Sequence, residues 1–175
     1  MKSLEISKIN EWVKDLSVGE EVLLNGYVYT ARDAVHKKFA ALIEEGKDLP
    51  IDVSGAMIYY AGPTPSKNGM AVGSCGPTTS SRMDKHTPIL LDMGLGGIIG
   101  KGERNADVVE SIKKNKAVYF CALGGAGALY ASCIKECEVI AFDELGCESL
   151  KRMKVENFPV FVAVDSNGGN IFDRK

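Results

Sequence analysis

The run CGPTTSSRMD (Cys75–Asp84) places four hydroxyl residues in a row, Thr78, Thr79, Ser80 and Ser81, between a Gly76–Pro77 turn and Arg82. Hydroxyls and free backbone N–H groups gather at helix starts, where negative charge is favoured. With Thr78 or Thr79 as the N-cap, Arg82 follows one turn later and can bring its planar fork to the same place. Helix start, hydroxyls and Arg together suit a carboxylate or a phosphate. A plain capped helix with a solvated Arg82 accounts for the same residues, so the run alone does not decide.

Two further cations raise the same question. Arg32 falls in the first turn of an expected helix, where a cation opposes the macrodipole and stability alone does not favour it. His36 lies four residues on and shares its face; both also read as surface residues, with Asp33 as a local acid. Lys101 sits in GGIIGKG, in a glycine loop after an apolar run, and ligand sites of α/β sheets collect at strand ends of this kind. A solvated loop lysine is its simpler reading, and His86 reads as structural. The loop is not a Walker A motif, because Leu95 stands where its first Gly belongs and Gly102 where its Ser or Thr belongs. Ile99 likewise replaces the third Gly of a dinucleotide fingerprint.

The five cysteines (Cys75, Cys121, Cys133, Cys137, Cys147) contain no C-x-x-C pair, so zinc or an iron–sulfur cluster held by this chain alone is not expected. Their odd number, with no export signal at the start, also speaks against a disulfide framework. A net charge of −2 implies no attraction to nucleic acid or membrane, and no apolar segment approaches the roughly 20 residues that cross a bilayer. A cytoplasmic protein is expected.

The elements that must position these residues follow from periodicity. The 175 residues are expected to form one domain, residues 1–175. NEWVKDLSVGEE reads as a short helix and EEVLLNGYVYT as a strand. TARDAVHKKFAALIEEGKDLP reads as a helix with Thr30 and Asp33 at capping-box spacing. GAMIYYAG, GGIIGKG and AVYFCAL read as buried strands; TPILLDMG (from Pro88), NADVVESIKKNK and GGAGALYASCI read as helices. CEVIAFDELG, KRMKVENFP and VFVAVDSNG read as three closing strands. The alternation predicts an α/β layered domain with a mixed sheet.

Taken together, GYVYTARDAVHK (Gly26–Lys37), GPTTSSRMD (Gly76–Asp84) and GGIIGKG (Gly96–Gly102) resemble the iron–sulfur-dependent hydro-lyases of the class I fumarase and tartrate dehydratase family. The likeness is to the C-terminal domain, in many prokaryotes a separate β subunit, and it runs from about Leu16 to the NFPVFVAVDSNGGNIF tail. The resemblance implies a swivelling β/β/α three-layer domain that closes over a partner. It implies trans addition or removal of water in a small dicarboxylate, with a [4Fe–4S] cluster acting as Lewis acid and held by the partner α subunit. By the same resemblance Thr78 is the catalytic threonine, and Arg32, Arg82 and Lys101 bind the substrate carboxylates, with Gly76 and Thr79 in the loop around them. Fumarate hydration is the leading expectation and L(+)-tartrate dehydration the second. From another class, a stand-alone small-anion or nucleotide-binding module is the alternative. A homodimer through this chain is a further expectation.

Overall fold

The computed structural model describes residues 1–173. In chain order the elements are β1 (Lys2–Glu5), α1 (Ile9–Trp12), β2 (Glu21–Thr30), α2 (Asp33–Glu44), β3 (Met57–Tyr59), α3 (Thr87–Asp92), β4 (Gly97–Gly100), α4 (Ala106–Asn115), β5 (Val118–Cys121), α5 (Gly127–Cys133), β6 (Ile134–Ala141) and β7 (Leu150–Val164). The sheet order is β1-β2-β3-β4-β5-β7-β6, and β7 pairs with β2 as well. Strands β1 to β5 are parallel to their neighbours, while β7 runs antiparallel to β2, β5 and β6. The mixed sheet expected from the sequence is present.

Alternation along the short central strands builds three layers. Met57 and Tyr59 of β3, with Ile99, Val118 and Phe120, join one core with Tyr130 and the β7 residues Met153, Val155, Phe158, Val160 and Val162. Ile58, Ile98 and Tyr119 point the other way, into a second core with Val35 and Phe39 of α2, Leu90 and Leu91 of α3, and Val108 and Ile112 of α4. The parallel strands are therefore covered on both faces, which is why they read as continuous apolar runs rather than alternating ones. The fold is a three-layer β/β/α domain.

Helix α4 has the chemistry its sequence promised. Asn105 caps it by accepting from the Val108 N–H at 2.9 Å, Asp107 lies in its first turn, and Lys113 and Lys114 lie in its last. Four expectations change. The N-terminal MKSLEI forms strand β1, which was not foreseen. NEWVKDLSVGEE is not a regular helix but one α turn flanked by 3-10 turns. The two closing strands KRMKVENFP and VFVAVDSNG are one continuous β7, since β2 and β5 pair along successive parts of it. Helix α3 begins at Thr87 rather than Pro88. Among the described residues no helix is long and apolar enough to cross a membrane.

Candidate active site

The parallel strands bring their C-terminal ends to one edge, and the expected site residues stand there. After β2 ends, the Ala31 N–H donates to the Tyr59 carbonyl at 3.1 Å, and Arg32 follows at the start of α2. After β3 ends, the Tyr60 N–H donates to Ile99 O at 2.9 Å, and the Tyr60 carbonyl accepts from the Thr78 N–H at 2.7 Å. Past β4, Thr79 pairs with Lys101 as a one-residue parallel bridge. The Ser80 N–H donates to Lys101 O at 2.9 Å, and the Lys101 N–H returns to Ser80 Oγ at 3.1 Å. The loop after β5 completes the rim: the Cys75 N–H donates to Gly127 O at 3.1 Å, which seats Gly76 against Gly127. Ser80 crosses so close to Gly100 that a Cβ there would collide with its hydroxyl. Arg32, Gly76, Thr78, Thr79, Arg82 and Lys101 are thus gathered from distant parts of the chain.

Thr78, Arg32 and Lys101 are half-buried, and Thr79 and Arg82 are exposed. Each of the two arginines already faces a carboxylate. Arg82 Nη2 bonds Asp33 Oδ2, and Arg32 Nε lies 3.8 Å from Glu148 Oε1 without a hydrogen-bond partner of its own. A Cβ at Gly62 would come within 3.0 Å of Arg32 Nη1, so the guanidinium rests over that glycine. Each guanidinium thus has a carboxylate beside it, but Arg32 is not hydrogen-bonded to Glu148, and its fork is free to take a carboxylate ligand.

Several local expectations are corrected. Residues 78–84 do not start an α-helix: Ser80–Met83 is one 3-10 turn, with Thr79 before it and no side-chain cap. The pairing of Thr79 with Lys101 holds the segment in sheet-like contact up to that point. The site therefore rests on side chains and not on a helix terminus. The Thr30–Asp33 capping box is also absent. Thr30 is the last residue of β2 and its hydroxyl donates to Ser149 O at 3.4 Å, so the cap position passes to Arg32. Asp33 serves Arg82 instead of Arg32.

His36 and His86 are neighbours, with ring centroids 6.0 Å apart in a stacked pose. His36 is buried and donates from Nδ1 to the Arg32 carbonyl at 2.7 Å. Burial pushes its pKa down to about 4, so the ring is neutral at physiological pH. The cysteines do not form a ligand set. Cys75 and Cys121 are buried, and burial pushes the Cys75 thiol up to about 12, leaving it protonated and inert. Among the described residues no three His, Cys, Asp or Glu side chains gather to hold a metal ion. An iron–sulfur cluster does not fit this donor set.

Sequence reasoning missed the buried polar group behind the site. Arg104 has a fully buried side chain, donating from Nε to Asp84 Oδ1 at 2.6 Å and from Nη2 to Thr87 Oγ1 at 2.8 Å and Tyr60 Oη at 3.2 Å. Nothing in GKGERNA distinguishes this arginine from a solvated one. The missing signal is the burial itself.

The sequence model of the family described as Fumarase C-terminus matches residues 1–175. The chain belongs to that family. This Fumarase C-terminus chain is 36% identical over 171 residues to "Fumarate hydratase 2" of Leishmania major, a match that covers 97% of the chain and 30% of the relative. It is 37% identical over 159 residues to "Fumarate hydratase class I, anaerobic" of Escherichia coli, covering 90% of the chain and 29% of the relative. With "Putative L(+)-tartrate dehydratase subunit beta" of Methanocaldococcus jannaschii the identity is 38% over 167 residues, 92% of the chain and 86% of the relative. The chain thus spans under a third of the fumarate hydratases it matches and most of the tartrate dehydratase subunit.

Proposed function

We propose that this chain is the β half of a hydro-lyase, a single domain that adds water to fumarate to give malate, or removes it, together with a separate α subunit. The observation that carries the reading is the convergence of Arg32, Arg82 and Lys101 with Thr78 and Thr79 at one edge of the parallel strands. A dianionic C4 substrate needs at least two cationic anchors, and the bidentate arginine fork is the best match to a carboxylate. The two forks take up one carboxylate and steady the other as charge develops beside the carbon that exchanges a proton. Lys101 adds a point charge from the glycine loop. Thr78 lies beside the proton-bearing carbon, with an acid–base partner from the α subunit; a neutral threonine is too weak a base to act alone.

The cysteines of this chain do not fit a [4Fe–4S] cluster, so in this reading the cluster belongs to the α subunit, over which the domain closes. The name of the M. jannaschii relative, a tartrate dehydratase subunit beta of which the match covers 86%, supports the β-subunit reading. The same relative's name favours a second reading, L(+)-tartrate dehydration on the same anchors.

Anaerobic co-expression with a cysteine-bearing α partner tests both readings. The pair should be brown, oxygen-sensitive and active on malate and fumarate, or on one tartrate enantiomer, while the chain alone is colourless and inactive. An active chain alone, or a brown pair inert toward every dicarboxylate, overturns the proposal.

A further inference from the structure

Three segments at the edge, Tyr60–Gly62, Thr78–Arg82 and Lys101–Gly102, come from separate parts of the chain and are tied by backbone hydrogen bonds. A buried polar group joins them from behind as well. Arg104 reaches Asp84 and Thr87 on one side and Tyr60 on the other. The proton directions in this group are fixed. Thr87 Oγ1 donates to Met83 O at 2.9 Å, so it accepts from Arg104 and, at 3.0 Å, from Tyr60 Oη. The second oxygen of Asp84 accepts from the Asn105 N–H at 3.1 Å, which closes a ring between the 3-10 turn and the start of α4.

The guanidinium carbon lies 5.2 Å from the Tyr60 ring centroid and 5.0 Å from that of Tyr119, two aromatic contacts suited to a desolvated cation. Tyr119 carries the connection forward: its hydroxyl is 2.8 Å from Ser80 Oγ and donates to Gly102 O at 2.7 Å. Ser80 in turn holds the Lys101 N–H. A buried ion pair of this kind is often no more stabilising than an apolar replacement of equal volume. Its distinctive property is directional: the fork engages Asp84, Thr87 and Tyr60 through Nε and Nη2, while Nη1 is buried without a partner.

We propose that Arg104 is a positioning residue: through Asp84, Tyr60 and Tyr119 it fixes the registers of Thr78, Arg82 and Lys101 relative to one another without touching the substrate. The proposal rests on the hydro-lyase reading for its catalytic consequence, but the geometry it asserts is testable in the chain whatever reaction it serves.

The test pairs Arg104→Met with Asp84→Asn, which removes both charges and so leaves neither stranded. In the full chain, amide hydrogen exchange at Thr78, Ser80 and Lys101 should speed by roughly tenfold or more with the melting temperature nearly unchanged. In the complex with the α subunit, kcat should fall by about tenfold or more while KM changes less, since small misplacements of reacting groups are costly. Arg104→Lys, which keeps charge but not the fork, should not restore exchange protection. Unchanged exchange in a folded double variant overturns the proposal. If the double variant does not fold, Tyr119→Phe decides: it removes only the hydroxyl that links Ser80 to Gly102, and unchanged exchange there overturns the proposal as well. A native complex inert toward every dicarboxylate would sink the hydro-lyase reading, and the exchange measurement would still decide the role of Arg104.

Discussion

Arg82 and Arg104 stand 22 residues apart and each pairs with an aspartate, yet their surroundings are opposite. Arg82 is half exposed, its partner Asp33 comes from another element, and the pair faces the open edge of the sheet. Arg104 is fully buried, its partner Asp84 is nearly so, and two tyrosine rings lie against it. In water an exposed pair contributes at most about 1 kcal/mol and exchanges partners readily. A buried pair cannot exchange, because either charge left alone pays the full cost of desolvation. The first arrangement suits an arginine that must take up a ligand carboxylate, and the second suits one that must not move.

The largest effect expected from this contrast is on stability. Arg104→Met strands the Asp84 carboxylate in the interior and should cost about 3–5 kcal/mol in chemical denaturation. The double change with Asp84→Asn should recover most of that loss. A small cost for Arg104→Met alone would mean that water reaches Asp84, and the contrast with Arg82 would fail.

Arg82→Ala should do the reverse. In the proposed hydro-lyase, where Arg82 anchors a substrate carboxylate, kcat/KM of the complex with the α subunit is expected to fall by about 10²-fold or more. Unfolding free energy should change by less than about 1 kcal/mol. An active Arg82→Ala complex would remove Arg82 from the site.

The contrast also explains what could be read in advance. Strand and helix order were legible because apolar runs bounded by glycine are explicit in GAMIYYAG, GGIIGKG and AVYFCAL. Arg32, Arg82 and Lys101 were named only through the family resemblance, because each also reads locally as a solvated cation, and the structure brings their segments to one edge of the sheet. The single β7 was not legible: KRMKVENFP and VFVAVDSNG read as two strands parted after Pro159, and only pairing with β2 and β5 on successive parts keeps the strand unbroken. Arg104 was not either, because burial of an arginine depends on Tyr60, Asp84 and Tyr119, none of which is near it in sequence. The helix expected at residues 78–84 failed for a related reason, since the Thr79–Lys101 bridge outweighs the local preference of hydroxyl residues for a helix start.

A third prediction probes the wall between the two regions. His36 packs edge-on to Tyr60 at 5.4 Å and stacks on His86, with its Nε2 buried and unpartnered. Its folded pKa of about 4 lies below the ordinary 6.5, so between those values the unfolded chain binds more protons than the folded one. Stability therefore falls as pH drops through that window, by up to about 1.4 kcal/mol per pH unit. Unfolding titrations at pH 6.5, 5.5 and 4.5 should show the decline, with most of it gone in His36→Gln. A flat profile in the native chain would place water around His36 and open the wall.

The smallest effect separates a partner from a placeholder. If Asp33 occupies the position of a substrate carboxylate on Arg82, the substrate must displace it, and the exposed pair sets the cost. At about 0.2–1 kcal/mol that cost corresponds to a factor of roughly 1.4 to 5 in apparent affinity. Asp33→Asn should accordingly lower KM of the assembled enzyme by up to about fivefold and leave kcat unchanged. Added salt should narrow the difference between the two proteins, because it weakens the same exposed pair. The opposite result, a raised KM, would mean that Asp33 holds the Arg82 fork in its productive orientation. Arg82 would then resemble Arg104, an arginine positioned by its aspartate, and the distinction drawn from exposure would not hold.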